Sequence, residues 1–343
     1  MFDRARSEKH RRILFIAIVT MSLTTGWVGL ADQPPQAKYA IAIHGGAGLE
    51  PAKLSATERE QHIEALQRAI LAGQKILSTG GAALDAVEAA IRILEDEPLY
   101  NAGKGAVFNS VGKHELDAAI VDGKEHRAGG VAGVTTIKNP ISLARLVMTQ
   151  TTHVLLMGEG AESFADEMRL NPQIERVSND YFSTNQRRAE WIEVKAREAA
   201  SPPAAPNPGK GTVGCVALDT HGNLAAGTST GGLTNKKWGR VGSVPIVGAG
   251  TFADNETLAV SGTGIGEYFL RNSVGFHLHA LMKYRGMSLD AAVEQMVDHI
   301  LPTDTAGIIA VDRTGQILMR CNTPGMARAS TDSSGKLSIQ LER

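Results

Sequence analysis

The sequence contains few cysteines, few aromatic residues and no excess of charge of either sign. Cys215 and Cys321 are the only cysteines among 343 residues, which excludes a framework of several disulfide bonds. Both lie in apolar, strand-like runs, where buried free thiols are the expected state. Aromatic residues make up 5% of the chain and the formal net charge is −1, so no field would attract nucleic acid or anionic lipid. We expect a globular protein with an aliphatic core.

No apolar run beyond the first thirty residues is long enough to span a membrane. Residues 1–31 have the order of a secretory signal, with a basic segment, the apolar residues 13–30 and a small-x-small site at residues 29–31. An uncleaved membrane anchor is the alternative, because the apolar run is nearly long enough to span. Hydroxyl residues within the run favour cleavage. We therefore predict a signal peptide over residues 1–31, a periplasmic or secreted protein, and no membrane contact after its removal.

Two halves with strand and helix patterns flank one aperiodic stretch. In the first half, strands are predicted at residues 39–43 and 119–123 and helices at residues 57–78, 81–95, 141–148 and 161–169. In the second half, strands are predicted at residues 212–219, 224–230, 258–261, 307–312 and 316–321 and helices around residues 266–284 and 288–299. Residues 195–211 between them contain four prolines and are predicted to be a flexible linker. The pattern favours an α/β sandwich, although composition alone does not distinguish it from a doubly wound sheet.

Thr212 stands where the proline-rich stretch ends and a strand begins. Gly211 has no side chain to shield its own carbonyl, which precedes Thr212, and it can adopt backbone angles that other residues resist. Cleavage of the bond between them would give Thr212 a free α-amine, whose ordinary pKa is about 7.7–8.0. Such an amine can act as the base for the adjacent hydroxyl. Position alone does not separate this hypothesis from an ordinary strand threonine.

Short sequence blocks, most of them containing glycine, occur in a fixed order on both sides of Thr212. They lie at residues 43–48, 100–105, 114–118, 211–214, 219–226, 228–236, 239–242, 248–250 and 262–267. In this order they resemble the plant-type L-asparaginase/isoaspartyl peptidase family, and the resemblance extends from about Ala40 to Met326. It implies an α+β fold, the αββα sandwich of N-terminal-nucleophile hydrolases. It also implies self-cleavage into an α subunit, residues 32–211, and a β subunit, residues 212–343, which together form one catalytic domain.

The resemblance implies the catalytic roles residue by residue. The chain would be cut between Gly211 and Thr212, and Thr212 would then be both nucleophile and, through its amine, base. Thr230 would support the Thr212 hydroxyl. The Thr263 hydroxyl and the Gly264 backbone N–H would form the oxyanion hole. The implied activity is hydrolysis of β-aspartyl amide bonds in L-asparagine or in small dipeptides.

Substrate binding and assembly are implied in the same way. Arg240 would bind the α-carboxylate of the substrate through its planar fork. The Gly266 backbone would hold the α-amino end of the substrate, and Asn101 would lie near the nucleophile. The subunits would pair as a dimer of αβ heterodimers.

The resemblance implies no catalytic cofactor, but it implies a loop that holds a structural, sodium-like cation. The ligands would be backbone carbonyls of Leu94, Glu95, Glu97, Tyr100, Ala102 and Lys104.

Ser243 departs from the family pattern, which has an aspartate there to pair with the α-ammonium group of the substrate. A hydroxyl supplies one hydrogen bond but no countercharge, a loss of roughly 1–2 kcal/mol. We therefore expect weaker selection for a free α-amine, with an N-acyl-tolerant amidase as one outcome. A threonine aspartase-like enzyme, whose branch also lacks this aspartate, is a second.

Other classes remain as alternatives. Residues 227–231 fit the G-x-S-x-G pattern of a serine hydrolase that would use Ser229, with Asp254 and His277 or His299 as partners. The glycines after Ser229 will not start the helix which that motif needs. An exported binding protein is a further alternative. The pairs His277–His279 and His114–Asp117 resemble metal ligands but are expected to be packing or surface residues, and no dinucleotide loop or P-loop is present.

Overall fold

The computed structural model describes residues 38–200 and 211–343. The helices are α1 Ala56–Ser78, α2 Ala83–Glu95, α3 Pro140–Gln150, α4 Gly158–Glu167, α5 Asn185–Ala200, α6 Gly266–Asn272, α7 Val274–Arg285 and α8 Leu289–Glu294. The strands are β1 Ala40–Ala47, β2 Leu116–Asp122, β3 Arg127–Val134, β4 Leu155–Met157, β5 Val213–Leu218, β6 Leu224–Thr230, β7 Thr251–Ala253, β8 Leu258–Gly264, β9 Ala306–Asp312, β10 Ile317–Cys321, β11 Gly325–Asp332 and β12 Ser338–Glu342. The predicted signal peptide, residues 1–31, lies outside the described residues.

The strands form two sheets, and the larger one draws on both halves of the chain. Its order is β12-β11-β1-β5-β6-β2-β3-β4, and the smaller sheet has the order β10-β9-β8-β7. Strand β5 lies between β1 and β6 and is antiparallel to both. The neighbours of β5 therefore come from opposite sides of residues 201–210.

Three clusters of apolar side chains hold these elements together. Successive residues of a strand point to opposite faces of its sheet, and both faces of β1 are buried. Ile41 and Ile43 pack into a cluster with α1, α2 and α3. Ala40 and Ala42 pack into a second cluster that includes residues of β8 and β9 from the smaller sheet. A third cluster joins the smaller sheet to α6, α7 and α8. The architecture is a mixed helix and sheet fold with two sheets.

The linker prediction was wrong over its first residues. Residues 195–200 belong to α5, whose buried side chains are limited to Arg187 and Val194. A helix with so little apolar surface shows no clear hydrophobic periodicity. The remaining signal in the sequence is the high helix propensity of its Glu, Lys, Arg and Ala residues. Gly211, at the other end of the predicted linker, is buried. Residues 201–210 lie outside the described part of the chain.

Two helices of the second half differ from their predicted form. The segment predicted as one helix around residues 266–284 is two helices, α6 and α7, separated by Ser273 at φ 44°. A single left-handed residue redirects the chain without changing its hydrophobic pattern, so periodicity does not reveal it. Helix α8 is followed by a π-helical turn over Gln295–Ile300. The helices predicted at residues 57–78 and 81–95 are confirmed as α1 and α2.

Across residues 38–200 and 211–343, no helix combines the length and the apolar character needed to cross a membrane.

We expect Ser55→Ala to lower the free energy of unfolding by about 1 kcal/mol. The Ser55 hydroxyl accepts a hydrogen bond from the Glu58 N–H, and the Glu58 carboxylate accepts one from the Ser55 N–H, which together form a capping box on α1. Urea denaturation measures the change. Ser78→Ala, at the other end of the same helix, is the control and should change stability by less than about 0.5 kcal/mol. Equal effects of the two substitutions would contradict the capping role.

Candidate active site

The hydroxyls of Thr212 and Thr230 lie next to each other at one end of the larger sheet. Val213 pairs with Ser229 across β5 and β6, so the residues one step further, Thr212 and Thr230, face each other. Their Oγ1 atoms are 2.9 Å apart and both residues are buried. The Gly232 N–H also donates to Thr230 Oγ1, at 3.1 Å. Thr230 is therefore held as the hydrogen-bond neighbour of the Thr212 hydroxyl.

The backbones of Asn101 and Gly46 pack closely against the Gly211–Thr212 peptide. Gly211 has φ 106°, and its carbonyl accepts a hydrogen bond from the Asn101 N–H at 2.8 Å. A β-carbon at Gly211 would lie 2.7 Å from Asn101 N, and one at Gly46 would lie 2.2 Å from the Gly211 α-carbon. Side chains are excluded from both positions. The Gly211 carbonyl is thus polarised by a fixed donor beside the neighbouring hydroxyl.

Asn101 ties this peptide to the end of β6. Its carbonyl accepts from the Gly231 N–H at 3.0 Å, and its side-chain amide donates to the Gly232 carbonyl at 2.8 Å. Its Oδ1 accepts from the Val107 N–H. The structure therefore places Asn101 near the nucleophile, where its contacts are to backbone, and outside the residues that line the cleft described below.

His44 supports Thr212 from the strand on the other side. Its Nδ1 lies 2.9 Å from the Thr212 carbonyl and its Nε2 lies 2.9 Å from Ser261 Oγ. A carbonyl can only accept, so Nδ1 carries the proton and Nε2 accepts from Ser261. Ser261 Oγ lies 2.7 Å from Thr228 Oγ1, which lies 2.7 Å from Thr251 Oγ1. This buried chain of hydroxyls fixes the imidazole behind the nucleophile.

Burial lowers the pKa of His44 to about 4, against the opposing effect of its hydrogen bond to Thr212. The imidazole is therefore neutral at physiological pH and serves as a donor of one hydrogen bond and an acceptor of another. Sequence reasoning assigned His44 no role of its own, although a histidine that ends an apolar strand was a usable signal.

A narrow cleft brings most of the predicted site residues together. It has a volume of about 20 Å³, room for about one water molecule. Its lining comprises Thr212, Thr230, Gly232, Leu233, Arg240, Gly242, Ser243, Val244, Gly262, Thr263, Gly264 and Gly266. In the uncleaved chain this cleft is too small for an amino acid.

Thr263 and Gly264 form the wall opposite Thr212. The Ala47 N–H donates to Thr263 Oγ1 at 3.1 Å, which leaves the hydrogen of the Thr263 hydroxyl available to another acceptor. Gly264 has φ 129°, and a β-carbon there would lie 2.0 Å from the Thr305 carbonyl oxygen. Both residues therefore have donors and conformations compatible with binding a carbonyl oxygen.

Arg240 is held by a partner that sequence reasoning did not assign. Its Nε and Nη2 donate to the two carboxylate oxygens of Glu267, each at 3.0 Å. Burial would raise the pKa of Glu267, but the hydrogen bond and the charge of Arg240 outweigh it and the pKa is lowered. β-Carbons at Gly242 and Gly266 would lie 2.6 Å from Nη1 and 2.8 Å from Nη2. The guanidinium is thus oriented by a carboxylate and packed between glycines at the cleft.

Two buried residues of opposite charge, Lys236 and Asp117, lie near Arg240. Lys236 Nζ donates to the Glu115 carbonyl at 2.8 Å, and burial lowers the pKa of Lys236 while the charge of Asp117 opposes the shift. Burial raises the pKa of Asp117 against the opposing charges of Lys236 and Arg240. The guanidinium therefore lies in a region where buried charges of both signs are matched.

Ser229 lies on the opposite face of β6 from Thr228 and Thr230. It is fully buried and its hydroxyl donates to Glu95 Oε1 at 2.7 Å. Asp254, a suggested partner, lies 3.7 Å from His279, whose same ring nitrogen is bonded to Thr257. Alternation along the strand thus directs Ser229 away from the cleft and toward the Glu95 carboxyl group, and not toward a histidine that could act as its base.

His114 and His279, one from each of the metal-like pairs, have ordinary hydrogen-bond partners. The His114 ring nitrogens lie 3.1 Å from the Val107 carbonyl and 3.0 Å from Ser183 Oγ. No group of three or more His, Cys, Asp or Glu side chains that could hold a metal ion is found within residues 38–200 and 211–343.

The predicted cation loop folds back on itself. The Lys104 N–H donates to the Glu95 carbonyl at 2.7 Å, and the Tyr100 N–H donates to the Glu97 carbonyl at 3.3 Å. Gly103, at φ 49°, packs so tightly against Glu95 that a β-carbon would lie 2.3 Å from the Glu95 carbonyl oxygen. A carbonyl oxygen has a second lone pair, so these groups remain compatible with a hard cation.

Comparisons with known proteins agree with this geometry. A family model described as Asparaginase matches residues 37–340. The chain is 47% identical over 300 residues to the isoaspartyl peptidase of Escherichia coli, which covers 85% of this chain and 92% of that protein. It is 39% identical over 328 residues to the probable isoaspartyl peptidase/L-asparaginase 2 of Arabidopsis thaliana, covering 88% and 98%. It is 39% identical over 310 residues to the isoaspartyl peptidase/L-asparaginase of Mus musculus, covering 88% and 90%.

We expect His44→Asn to reduce the loss of stability in acid. The pKa of the imidazole is lowered in the folded chain, so between pH 6.5 and about 4 the unfolded chain binds the extra proton. Folding stability contributed by this group is complete above pH 6.5 and falls by about 1.4 kcal/mol per pH unit below it. Denaturation of uncleaved Thr212→Ala protein, with and without His44→Asn, from pH 4 to 7.5 isolates this slope. Parallel curves for the two proteins would contradict the assignment.

Proposed function

Because the chain belongs to the asparaginase family, we propose that it is an autoprocessed isoaspartyl peptidase/L-asparaginase that hydrolyses β-aspartyl amide bonds through Thr212. The observation that carries the proposal is the 2.9 Å contact between the Thr212 and Thr230 hydroxyls, directly after a peptide whose carbonyl is held by the Asn101 N–H. Neither a serine hydrolase nor a binding protein accounts for that arrangement.

Self-cleavage begins at the polarised Gly211 carbonyl. The Thr212 hydroxyl attacks the carbonyl carbon, the C–N bond breaks, and an ester to Thr212 Oγ1 replaces the amide. Water then hydrolyses the ester. The Asn101 N–H, at 2.8 Å from the carbonyl oxygen, is placed to stabilise the negative charge that develops there. The products are an α subunit ending at Gly211 and a β subunit beginning at Thr212.

The freed amine of Thr212 then serves as the base in turnover. Its ordinary pKa of about 7.7–8.0 allows it to take the hydroxyl proton near neutrality. Thr212 Oγ1 attacks the β-amide carbonyl of the substrate, and the C–N bond breaks as the amine returns the proton to the leaving group. Water then hydrolyses the ester and frees Thr212 for the next turnover. The Thr263 hydroxyl, whose hydrogen is available, and the Gly264 N–H stabilise the oxyanion, each donor contributing about 10²–10³ in rate.

Arg240 binds the α-carboxylate of the substrate. Its Nε and Nη2 are oriented by Glu267, and its Nη1 remains directed toward the glycines that line the cleft. Holding the fork in place before binding reduces the ordering cost of the contact. The Gly266 backbone lies beside the guanidinium, where the α-amino end of the substrate would be placed.

Ser243 sets the selectivity for that amino end. It is buried in the cleft lining without supplying a negative charge. We infer a reduced preference for a free α-ammonium group and tolerance of N-acylated substrates. A threonine aspartase-like activity on proteins is the less favoured alternative, because the similar proteins compared above are isoaspartyl peptidases and L-asparaginases.

Family membership supports the first three of four further parts of the proposal, and the sequence pattern of residues 1–31 supports the fourth. The two sheets and their helices form the αββα sandwich of N-terminal-nucleophile hydrolases. The α subunit (residues 32–211) and β subunit (residues 212–343) assemble as a dimer of heterodimers. The carbonyls of the folded loop hold a structural, sodium-like cation, which supplies rigidity and no catalytic step. Removal of residues 1–31 gives a periplasmic or secreted enzyme.

We expect purified wild-type protein to give two fragments that meet at Gly211 and Thr212 by intact-mass analysis. Thr212→Ala removes the nucleophile, so cleavage should stop and release of ammonia from L-asparagine should fall by about 10³-fold or more. Thr212→Ser should retain cleavage. Ser229→Ala is the matched control and should mature and turn over normally. A single uncleaved chain with full amidase activity would overturn the proposal.

We expect Ser243→Asp to raise kcat/KM for L-asparagine and β-aspartyl dipeptides by about tenfold, because it adds a countercharge to the α-ammonium group. The gain should be absent on N-acetylated substrates, which carry no such charge. Ser243→Asn matches aspartate in size without the charge and should give no gain. Equal kinetics of the Asp and Asn variants would show that residue 243 does not recognise the amino group.

A further inference from the structure

A second cavity lies on the other side of the Gly211–Thr212 peptide. It has a volume of about 250 Å³, and Gly211 is part of its lining. None of the residues that line it lines the cleft around Thr212. The peptide proposed to be cut therefore separates two cavities, one on the side of each product.

Two buried polar atoms belong to residues that line the second cavity. Tyr100 is 1% exposed and His62 is 8% exposed. The Tyr100 hydroxyl and His62 Nδ1 have no hydrogen-bond partner among the described residues, a state that is rare and costly in folded proteins. Burial and the charge of Arg187 lower the pKa of His62 against the effect of Glu58. A neutral imidazole and a phenol are therefore available as hydrogen-bond donors.

A buried cation lies in the same lining, beside Gly211. Arg187 is 3% exposed, and its Nη2 lies 3.3 Å from the position that a β-carbon on Gly211 would occupy. Its Nε donates to the Gly105 carbonyl at 2.7 Å and its Nη1 to Glu190 at 2.8 Å. The contact of Nη2 with the Leu99 carbonyl is longer, 3.3 Å. The guanidinium therefore lies within reach of a carboxylate formed at Gly211, which would add a charge-assisted contact.

We propose that this cavity is a carboxylate site, formed by Arg187, Tyr100 and His62, which receives the new C-terminal carboxylate of Gly211. The inference rests on the proposed self-cleavage. Hydrolysis breaks the Gly211–Thr212 C–N bond, adds one oxygen from water to the Gly211 carbon and leaves the Thr212 nitrogen as an amine. The new carboxylate is the acceptor that matches the two unpartnered groups and the guanidinium.

Capture of the carboxylate has a consequence for maturation. Gly211 in the uncleaved chain is pressed between the backbones of Gly46 and Asn101. Movement of its carboxylate toward Arg187 takes the acyl end away from the Thr212 hydroxyl and amine. Re-formation of the ester or peptide is thereby disfavoured, and space is released beside a cleft that otherwise has room for about one water.

The test measures how well the new C-terminus is held. Mature protein is treated with a broad-specificity carboxypeptidase, and loss of Gly211 and Lys210 from the α fragment is followed by intact mass. Tyr100→Phe removes only a hydroxyl that has no partner among the described residues, so folding should be preserved, and Arg187→Met removes the cation. We expect trimming about tenfold faster for Tyr100→Phe and about a hundredfold faster for Arg187→Met. Lys53→Met, a change in an exposed residue of the same lining, should match wild type.

The outcomes separate this inference from the proposed function. If wild type and Tyr100→Phe are trimmed at the same rate, the C-terminal carboxylate of the α fragment does not occupy the site, and the inference is wrong. The site then either binds a free carboxylate or binds nothing. If wild type is never cleaved, both the inference and the proposed function are wrong. If trimming of each variant is faster while its processed fraction turns over substrate normally, the variants are not generally damaged in their fold. That result supports a binding site for the C-terminus.

Discussion

The pairing of β5 with β1 and β6 is the constraint on which the candidate site depends. Strand β5 starts at Val213 and is hydrogen-bonded along both edges, so the residue before it has little freedom. The carbonyl of Thr212 is fixed by His44 from one neighbouring strand, and its hydroxyl is fixed by Thr230 from the other. Because these strands pack into apolar clusters on both faces, the nucleophile is held by the core of the protein.

Close backbone packing at the proposed cleavage point follows from that placement. A chain that leaves the sheet at Gly211 has to turn, and Gly211 does so at φ 106° between Gly46 and Asn101. Glycine supplies the conformation and the space. The same absence of side chains lets one peptide divide the narrow cleft from the larger cavity, so the two products of cleavage would separate into different environments.

Electrostatics in the site rest on matched pairs and neutral groups. Arg240 is paired with Glu267. Lys236 lies near Asp117, and their opposite charges counter burial only in part, so the pKa of Asp117 is raised and that of Lys236 is lowered. His44 remains neutral because burial lowers its pKa. The cleft thus presents hydroxyls, backbone amides and one oriented guanidinium. That set suits a small carboxylate-bearing amide, and under the proposed function Ser243 would give the amino end of the substrate the weakest recognition.

The sequence alone determined the elements with strong periodicity, such as α1 and α2, and the order of its motifs, through their resemblance to a known family, indicated residues such as Thr212, Thr263 and Arg240. Residue types and their order suffice there, because helix faces and glycine-rich turns are local properties. It could not determine α5, whose polar surface hides its period, or the break at Ser273. The partners Glu267 and His44, the backbone role of Asn101, and the cavity of Tyr100, His62 and Arg187 were decided only by the tertiary structure. Each depends on contacts between segments far apart in the chain, such as the 168 residues between His44 and Thr212.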